Sequence, residues 1–328
     1  MSFLYQRITK GQPSVSGTLD EPNGAPEPRF ALQGTVHWMH ALAVLVQSSP
    51  FDKQSIQRSY SNVQPATSLA DQAVNTAFEQ LLMSLHHVSA LRAMRGTESD
   101  LARVAIMAWY YGTYCAASAM IAAKDGTQQQ DHAGTANVWD RQIVANGLAI
   151  APFAYRLTTL ENPAAKQELA VLRGANPFDL GTRPSNPVEA YGACISYLSG
   201  TREYREWQIC DSLLQKELPQ LGLNNFRTAA ARKLRDDRLR GKSLGFLHQA
   251  FRYRGKANYR DALFLTYGNQ VSGTLNGFIE EMEIVLNAFI VMAGAFCARR
   301  IGRSLWNPFL VDLSTQLHLA VMPQDVWL

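Results

Sequence analysis

The sequence has 328 residues, 47% hydrophobic and 18% charged, with a formal net charge of +4. That balance excludes wholesale disorder and allows a large buried core, as one sizeable domain or two smaller ones. Cys115, Cys194, Cys210 and Cys297 are widely spaced, form no C-x-x-C pair and lie in apolar or helical runs, which predicts buried free thiols in a reducing cytoplasm.

The opening MSFLYQRITKGQP lacks the apolar run of a secretory signal. Residues 1–67 read as an irregular N-terminal segment, rich in Gly, Pro, Ser and Thr up to about Gln33, with a short helix over 35–47. Ala73, Ala77, Leu81, Leu85, Val88 and Leu91 then recur at helical spacing behind a predicted N-cap at Ser68, with Asp71 three residues on. Gly96 closes that helix. Thr97 with Asp100 repeats the capping pattern for a second helix to about Ala123, so the two should form an antiparallel hairpin. Val104 to Ala123 contains no formal charge and is long enough to span a bilayer. Trp109, Tyr110, Tyr111 and Tyr114 stand in its middle, however, whereas a spanning helix places such rings at its ends. The expectation is a buried central helix of a soluble protein, with no membrane partner.

Lys124 to Thr135 reads as a polar loop, and helical patterning resumes from Ala136 to Leu160 with a break near Pro152. After a loop-rich passage over 171–187, Val188 to Leu198 reads as a short apolar helix and Thr201 to Leu218 as a separate amphipathic one. A last long helix is predicted over 274–301. Glu280, Glu281 and Glu283 would be solvated in its first turns and Arg299, Arg300 and Arg303 would close it, matching the helix dipole. Trp306, Phe309, Leu317 and Trp327 should dock the tail on the body. No alternating strand pattern and no repeat is present, so the predicted fold class is all-α, a helical bundle over 68–328 built on the long hairpin.

The positive charge is local. Residues 227–261 hold eleven of the 31 Lys and Arg beside three of the 27 acids, a net +8, which leaves 20 bases against 24 acids elsewhere, a net −4. Gly241 and Gly255 divide this segment, with Asn224 or Asn225 as the predicted cap. Phe246, Phe251, Tyr253 and Tyr259 are interleaved with its cations, and phosphates take charge while exposed bases take ring faces. Arg227, Arg232, Lys233, Lys242, Arg252, Tyr253, Lys256, Tyr259 and Arg260 are therefore the expected nucleic-acid contacts. A solvated basic helix face is the plainer alternative. His248 is the one imidazole in this setting, and the like charge of Arg240, Lys242, Arg252 and Arg254 would keep it neutral. Leu244, His248 and Phe251 also share a helical face, so a hydrogen-bonded core histidine is the competing expectation. His37 and His40, three apart, could share a face toward a metal, but no third ligand is near in sequence and no metal or cofactor is expected.

Two stretches, Ala108-Trp-Tyr-Tyr-Gly-Thr-Tyr-Cys-Ala-Ala-Ser-Ala-Met120 and His132-Ala-Gly-Thr-Ala-Asn-Val-Trp139, resemble the aromatic-then-small helix and the polar loop with helical restart of the HEPN superfamily of prokaryotic helical domains. Together they cover residues 68–160. The resemblance implies a HEPN-like bundle in host defence or a toxin system, often a metal-independent RNase in which Arg and His, with four to six residues between them, meet at a dimer interface. In such chemistry the RNA 2′-OH is the nucleophile, His moves its proton and Arg stabilises the charged transition state. Here Arg240 and His248 have seven residues between them, Lys242 and His248 have five, and Arg260 to Tyr267 offers Tyr in place of His. Lys lacks the two-pronged fork of Arg and Tyr titrates near 10.

The leading reading is nucleic-acid binding, RNA first, with possible metal-independent cleavage by His248 as proton carrier and Arg240 or Arg254 as phosphate clamp. A non-catalytic nucleic-acid-binding subunit of a defence complex and an interaction protein whose basic face meets an acidic partner are the alternatives. A homodimer or a larger complex follows from the same resemblance.

Overall fold

The computed structural model describes residues 28–127, 131–255, 257, 265 and 275–327. Among these are 12 α-helices and no sheet, so the all-α class holds. In chain order they are α1 (Pro28–Ser48), α2 (Lys53–Ser59), α3 (Asp71–Ala93), α4 (Glu98–Asp125), α5 (His132–Gln142), α6 (Ala164–Arg173), α7 (Pro187–Ser212), α8 (Ala229–Arg240), α9 (Phe246–Gly255), α10 (Phe278–Ile301), α11 (Arg303–Gln316) and α12 (Pro323–Val326).

The predicted hairpin is α3 and α4. Ser84 Oγ donates to the Gly112 carbonyl at 3.1 Å, and a Cβ on Gly126 would touch Ala73, so the pairing runs antiparallel away from the turn. Gly112 sets the closeness of approach. A Cβ there would meet His87 Cβ at 2.9 Å and Leu286 of α10 at 2.6 Å, so a side chain would push three helices apart. Trp109 and Tyr110 are buried as expected, and Tyr114 is half-buried. The predicted caps differ. Helix α3 starts behind Ala70 and not Ser68, while Thr97 takes the predicted N-cap position of α4 but its hydroxyl donates back to the Met94 carbonyl.

Helix α1 begins at Pro28 and is far longer than the short helix expected, because its apolar face has partners. Trp38 stacks on Tyr197 of α7 at 4.1 Å between ring centroids and meets Trp109 of α4 edge-on at 5.9 Å. Burying such an indole is worth a few kcal/mol. α1 thus shares one core with α4, α7 and α10, and no boundary falls at residue 67. Helices α4 and α10 are each long and apolar enough to cross a membrane, and 72% and 61% of their apolar windows are buried inside the bundle.

The acids of α10 depart from expectation. Glu281 and Glu283 are 8% and 3% exposed, not solvated. Burial of a carboxylate demands partners. Glu283 accepts from Arg92 Nε at 2.9 Å and Arg95 Nε at 2.5 Å, and Glu281 faces His40 Nδ1 at 2.6 Å and Arg183 Nη2 at 2.5 Å. His40 is thereby occupied, His37 Nδ1 lies 2.9 Å from the Leu180 carbonyl, and no metal-ligand cluster occurs among the described residues. The tail docks: Trp327 Nε1 donates to the Ile290 carbonyl at 3.1 Å, in space that a side chain on Gly294 would fill. The four cysteines are free thiols; Cys210 is half-buried and the other three are buried.

A small clasp joins two loops. Leu157 and Leu244 exchange both backbone hydrogen bonds, at 2.8 and 3.0 Å, and Leu160 N–H donates to the Leu239 carbonyl at 3.2 Å. Leu157, Leu160, Leu198, Leu239 and Leu244 pack together behind it, so the corner from α8 into α9 is held by backbone bonds and an apolar backing.

Candidate anion-binding site

The predicted separation of Val188–Leu198 from Thr201–Leu218 is absent, and α7 runs through both as far as Ser212. Asn186 caps the helix by accepting from the Val188 and Glu189 amides at 3.0 Å, with Pro187 at the first turn. Its first half is core (Ala190, Ala193, Cys194, Tyr197, Leu198) and its second half emerges to present Tyr204, Arg205, Trp207 and Gln208. Helix α9 crosses here. Phe246, Leu247, Ala250 and Tyr253 face the core, which leaves Phe251, Arg252 and Arg254 on its outer side. Only hydrogen stands where a Gly200 side chain would lie, 3.6 Å from Arg252 Nη1.

Between α5, α7 and α9 lies a cleft of about 240 Å³, lined by Ala133, Ala136, Tyr204, Arg205, Gln208, His248, Phe251, Arg252, Arg254 and Gly255. Among the described residues the lining contains three arginines and no acid. Each guanidinium is fixed by neutral groups. Arg205 Nη1 donates to Gln208 Oε1 at 2.8 Å, and Gln208 Nε2 donates to the Tyr204 hydroxyl at 2.9 Å. Arg252 Nη1 donates to Thr201 Oγ1 at 3.0 Å, with its guanidinium over the rings of Tyr197 and Tyr204 at 5.5 and 5.2 Å. Arg254 Nη1 donates to the Tyr111 hydroxyl at 3.2 Å, and its guanidinium lies 4.9 Å from the Tyr110 ring and 5.1 Å from Phe251. Among the described residues none of the three makes an ion pair, and the Nη2 arm of each has no hydrogen-bond acceptor. Aromatic faces and amide oxygens orient a guanidinium without cancelling its charge. Burial lowers the pKa of Arg205, yet an arginine stays protonated at cellular pH. The cleft lining therefore carries three formal positive charges with no carboxylate paired to them among the described residues.

His248 lines the same cleft but both ring nitrogens are in use. Nδ1 accepts from the Gly245 amide at 3.1 Å, half of a capping box for the helix that starts one residue later, and Nε2 lies 3.0 Å from Asn137 Oδ1. Burial pushes its pKa down to about 4, with Arg205 and Arg156 lowering it further and Asp140 opposing them. The imidazole is neutral as expected, but for another reason: desolvation dominates, and Arg240 and Lys242 are not among the causes. Asp140, fully buried, is held by Arg156 at 2.8 and 3.1 Å, and a Cβ on Gly245 would stand 2.5 Å from its Oδ1. Glycine is required there by close approach.

The other expected residues are placed elsewhere. Arg240 is turned to Glu161, with contacts of 2.5 and 2.6 Å, and to Asp237 at 3.0 Å, so it does not join His248. Tyr253 is fully buried, packed at tilted and edge-on angles among Trp38, Trp109 and Tyr197, and its hydroxyl donates to the Thr35 carbonyl; it is not a base-stacking surface. On α8, Lys233 pairs with Asp237, Arg235 with Asp236 and Arg238 with Glu217, at 2.7 to 2.8 Å. Arg232 donates to the Arg227 carbonyl. Arg227 and Lys242 are exposed. Thr228, not an asparagine, caps α8. Lys256, Tyr259 and Arg260, and the Arg260–Tyr267 spacing, lie outside the described residues.

Arg205, Gln208 and Tyr204 were not legible as site residues. Arg205 stands between Glu203 and Glu206 in a run that reads as an ordinary amphipathic surface, and only the crossing of α9 makes it part of a cleft. In comparisons with family models, curated protein sequences and solved structures, nothing matches this chain.

Proposed function

We propose that this chain binds nucleic acid, single-stranded RNA first, by seating phosphate among Arg205, Arg252 and Arg254. The observation that carries the reading is the acid-free lining of a cleft with three arginines whose Nη2 arms face no acceptor among the described residues. Arginine forks match phosphate geometry, and charge-assisted bonds of this kind are about twice as strong as neutral ones. Trp207 adds a platform: it is 37% exposed and stacks on Tyr204 at 6.0 Å, within reach of a base whose phosphate sits in the cleft. RNA comes before DNA, and a defence or toxin setting before others, on the resemblance of the α4 and α5 sequences to HEPN domains.

A cleaving form of this reading has one supporting observation, that His248 and Arg254 line one cleft. Its proton carrier would first have to release the Gly245 amide or Asn137, so binding without cleavage is the function put forward. Fluorescence anisotropy with a labelled single-stranded RNA tests it. Wild type should bind in a salt-dependent way and the Arg252→Ala, Arg254→Ala double variant should bind much more weakly at unchanged melting temperature. Equal affinity of the two proteins would overturn the cleft as the binding site. Incubation with total RNA in EDTA separates binding from metal-free cleavage.

A further inference from the structure

We infer that the cleft selects a terminal phosphomonoester, the phosphorylated end of a single strand, over the internal phosphodiesters of its backbone. This rests on the nucleic-acid reading above and adds the ligand's chemical class. The first argument is charge. A phosphomonoester carries about −1.5 to −2 at neutral pH and three acceptor oxygens, whereas each backbone diester carries one negative charge and two free oxygens. Three guanidiniums, with no acid among the described lining residues, equal the first in number of acceptor oxygens and come nearer to it in charge than to the second.

Size argues the same way. A volume of about 240 Å³ is below the roughly 300–1,000 Å³ of pockets that engulf whole ligands. A strand running through must enter and leave with a nucleoside on each side of the bound phosphate, while an end group has only one attachment to accommodate. The cations also come from two elements, Arg205 on α7 and Arg252 with Arg254 on α9, so they can close on one group from two sides rather than track a backbone along one. The exposed ring of Trp207, stacked on Tyr204 at the cleft, then serves the nucleoside that bears the phosphate.

The experiment compares one labelled RNA octamer in three forms, with 5′-phosphate, with 3′-phosphate and with hydroxyls at both ends, by anisotropy with the label placed internally. One phosphorylated form should bind about tenfold or more tighter than the dihydroxyl form. That advantage should vanish in Arg205→Ala and shrink in Arg205→Lys, which keeps the charge and loses the fork; far-ultraviolet circular dichroism checks that both variants fold. If all three RNAs bind alike, the end-group selection is wrong and the nucleic-acid reading stands. If none binds, both are wrong. A nucleoside 5′-monophosphate that competes as well as the phosphorylated octamer would also overturn the proposal, by making the ligand a free nucleotide.

Discussion

Helix α8 and the cleft beside α9 belong to one basic stretch of sequence, yet they differ in what their charge can do. On α8, Lys233, Arg235, Arg238 and Arg240 each meet a carboxylate within 3.0 Å. At the cleft, Arg252 and Arg254 are held by a hydroxyl and by rings, and Arg205 joins them from a helix more than forty residues earlier. The lesson is that cation density along a chain measures composition, whereas available positive potential depends on where the acids are. The first region is close to neutral at short range. The second is not.

The largest expected effect comes from reversing charge in the cleft. Arg205→Glu should weaken RNA binding by about a hundredfold or more, since it removes one charge-assisted partner and leaves a like charge facing phosphate; anisotropy at fixed salt measures it. The α8 pair Arg232→Ala, Lys233→Ala should change affinity by less than about threefold, and a loss comparable to Arg205→Glu would restore the helix face as the binding surface.

Next is the acid side of stability, which probes the wall that α9 and α5 share. The folded pKa of His248 is near 4 against an ordinary 6.5. A depressed histidine binds its proton more readily unfolded, so its contribution is fully present above about pH 6.5 and is lost as pH falls toward 4. The shift corresponds to roughly 3 kcal/mol. Urea unfolding at pH 7.5 and pH 5 should show the drop, and His248→Gln should flatten it. RNA affinity of His248→Gln at pH 7.5 should stay within a few-fold of wild type, because no step of binding uses the imidazole.

Salt dependence gives a finer distinction. A single phosphate group gripped by three arginines neutralises one phosphate, so the slope of log affinity against log salt should be shallow, about −1 for single strands, whereas five or more phosphates contacted along α8 would give about −3.5 or steeper. The smallest effect is expected for Glu161→Gln. It releases Arg240 from its carboxylate, but a surface pair holds little and is screened, so RNA affinity should rise by less than about twofold.

Much of the fold was legible because long amphipathic helices announce themselves. The Ala73-to-Leu91 spacing and the uncharged run through Trp109 located α3 and α4 within a few residues. The start of α3 was placed two residues early, at Ser68 instead of Ala70, whereas Thr97 does stand at the N-cap of α4 but turns its hydroxyl back to Met94. The gap read between Leu198 and Thr201 is a further miss: glycine in a helix is unfavourable in isolation, yet α7 runs straight through Gly200. Glu281 and Glu283 were misread because their partners His40, Arg183, Arg92 and Arg95 lie far off in sequence. At the site, Arg252 and Arg254 were visible as local charge, Arg240 was chosen for proximity along the chain and proved to be paired, and Arg205 had no local signal at all.

The clasp between Leu157 and Leu244 has a mechanical consequence. Leu244 precedes the residue whose amide holds His248, so the clasp is the pivot from which α9 sets out, and Arg254 lies eight residues along the arm. At 1.5 Å of rise per residue that arm is about 12 Å long, and a tilt of about 5° at the pivot moves its far end by about 1 Å. The phosphate bonds proposed for these arginines would not survive such an error intact, since a hydrogen bond stretched from 2.8 to 3.8 Å is no longer one. Two backbone hydrogen bonds between leucines thus act as the bearing on which the position of Arg252 and Arg254 depends.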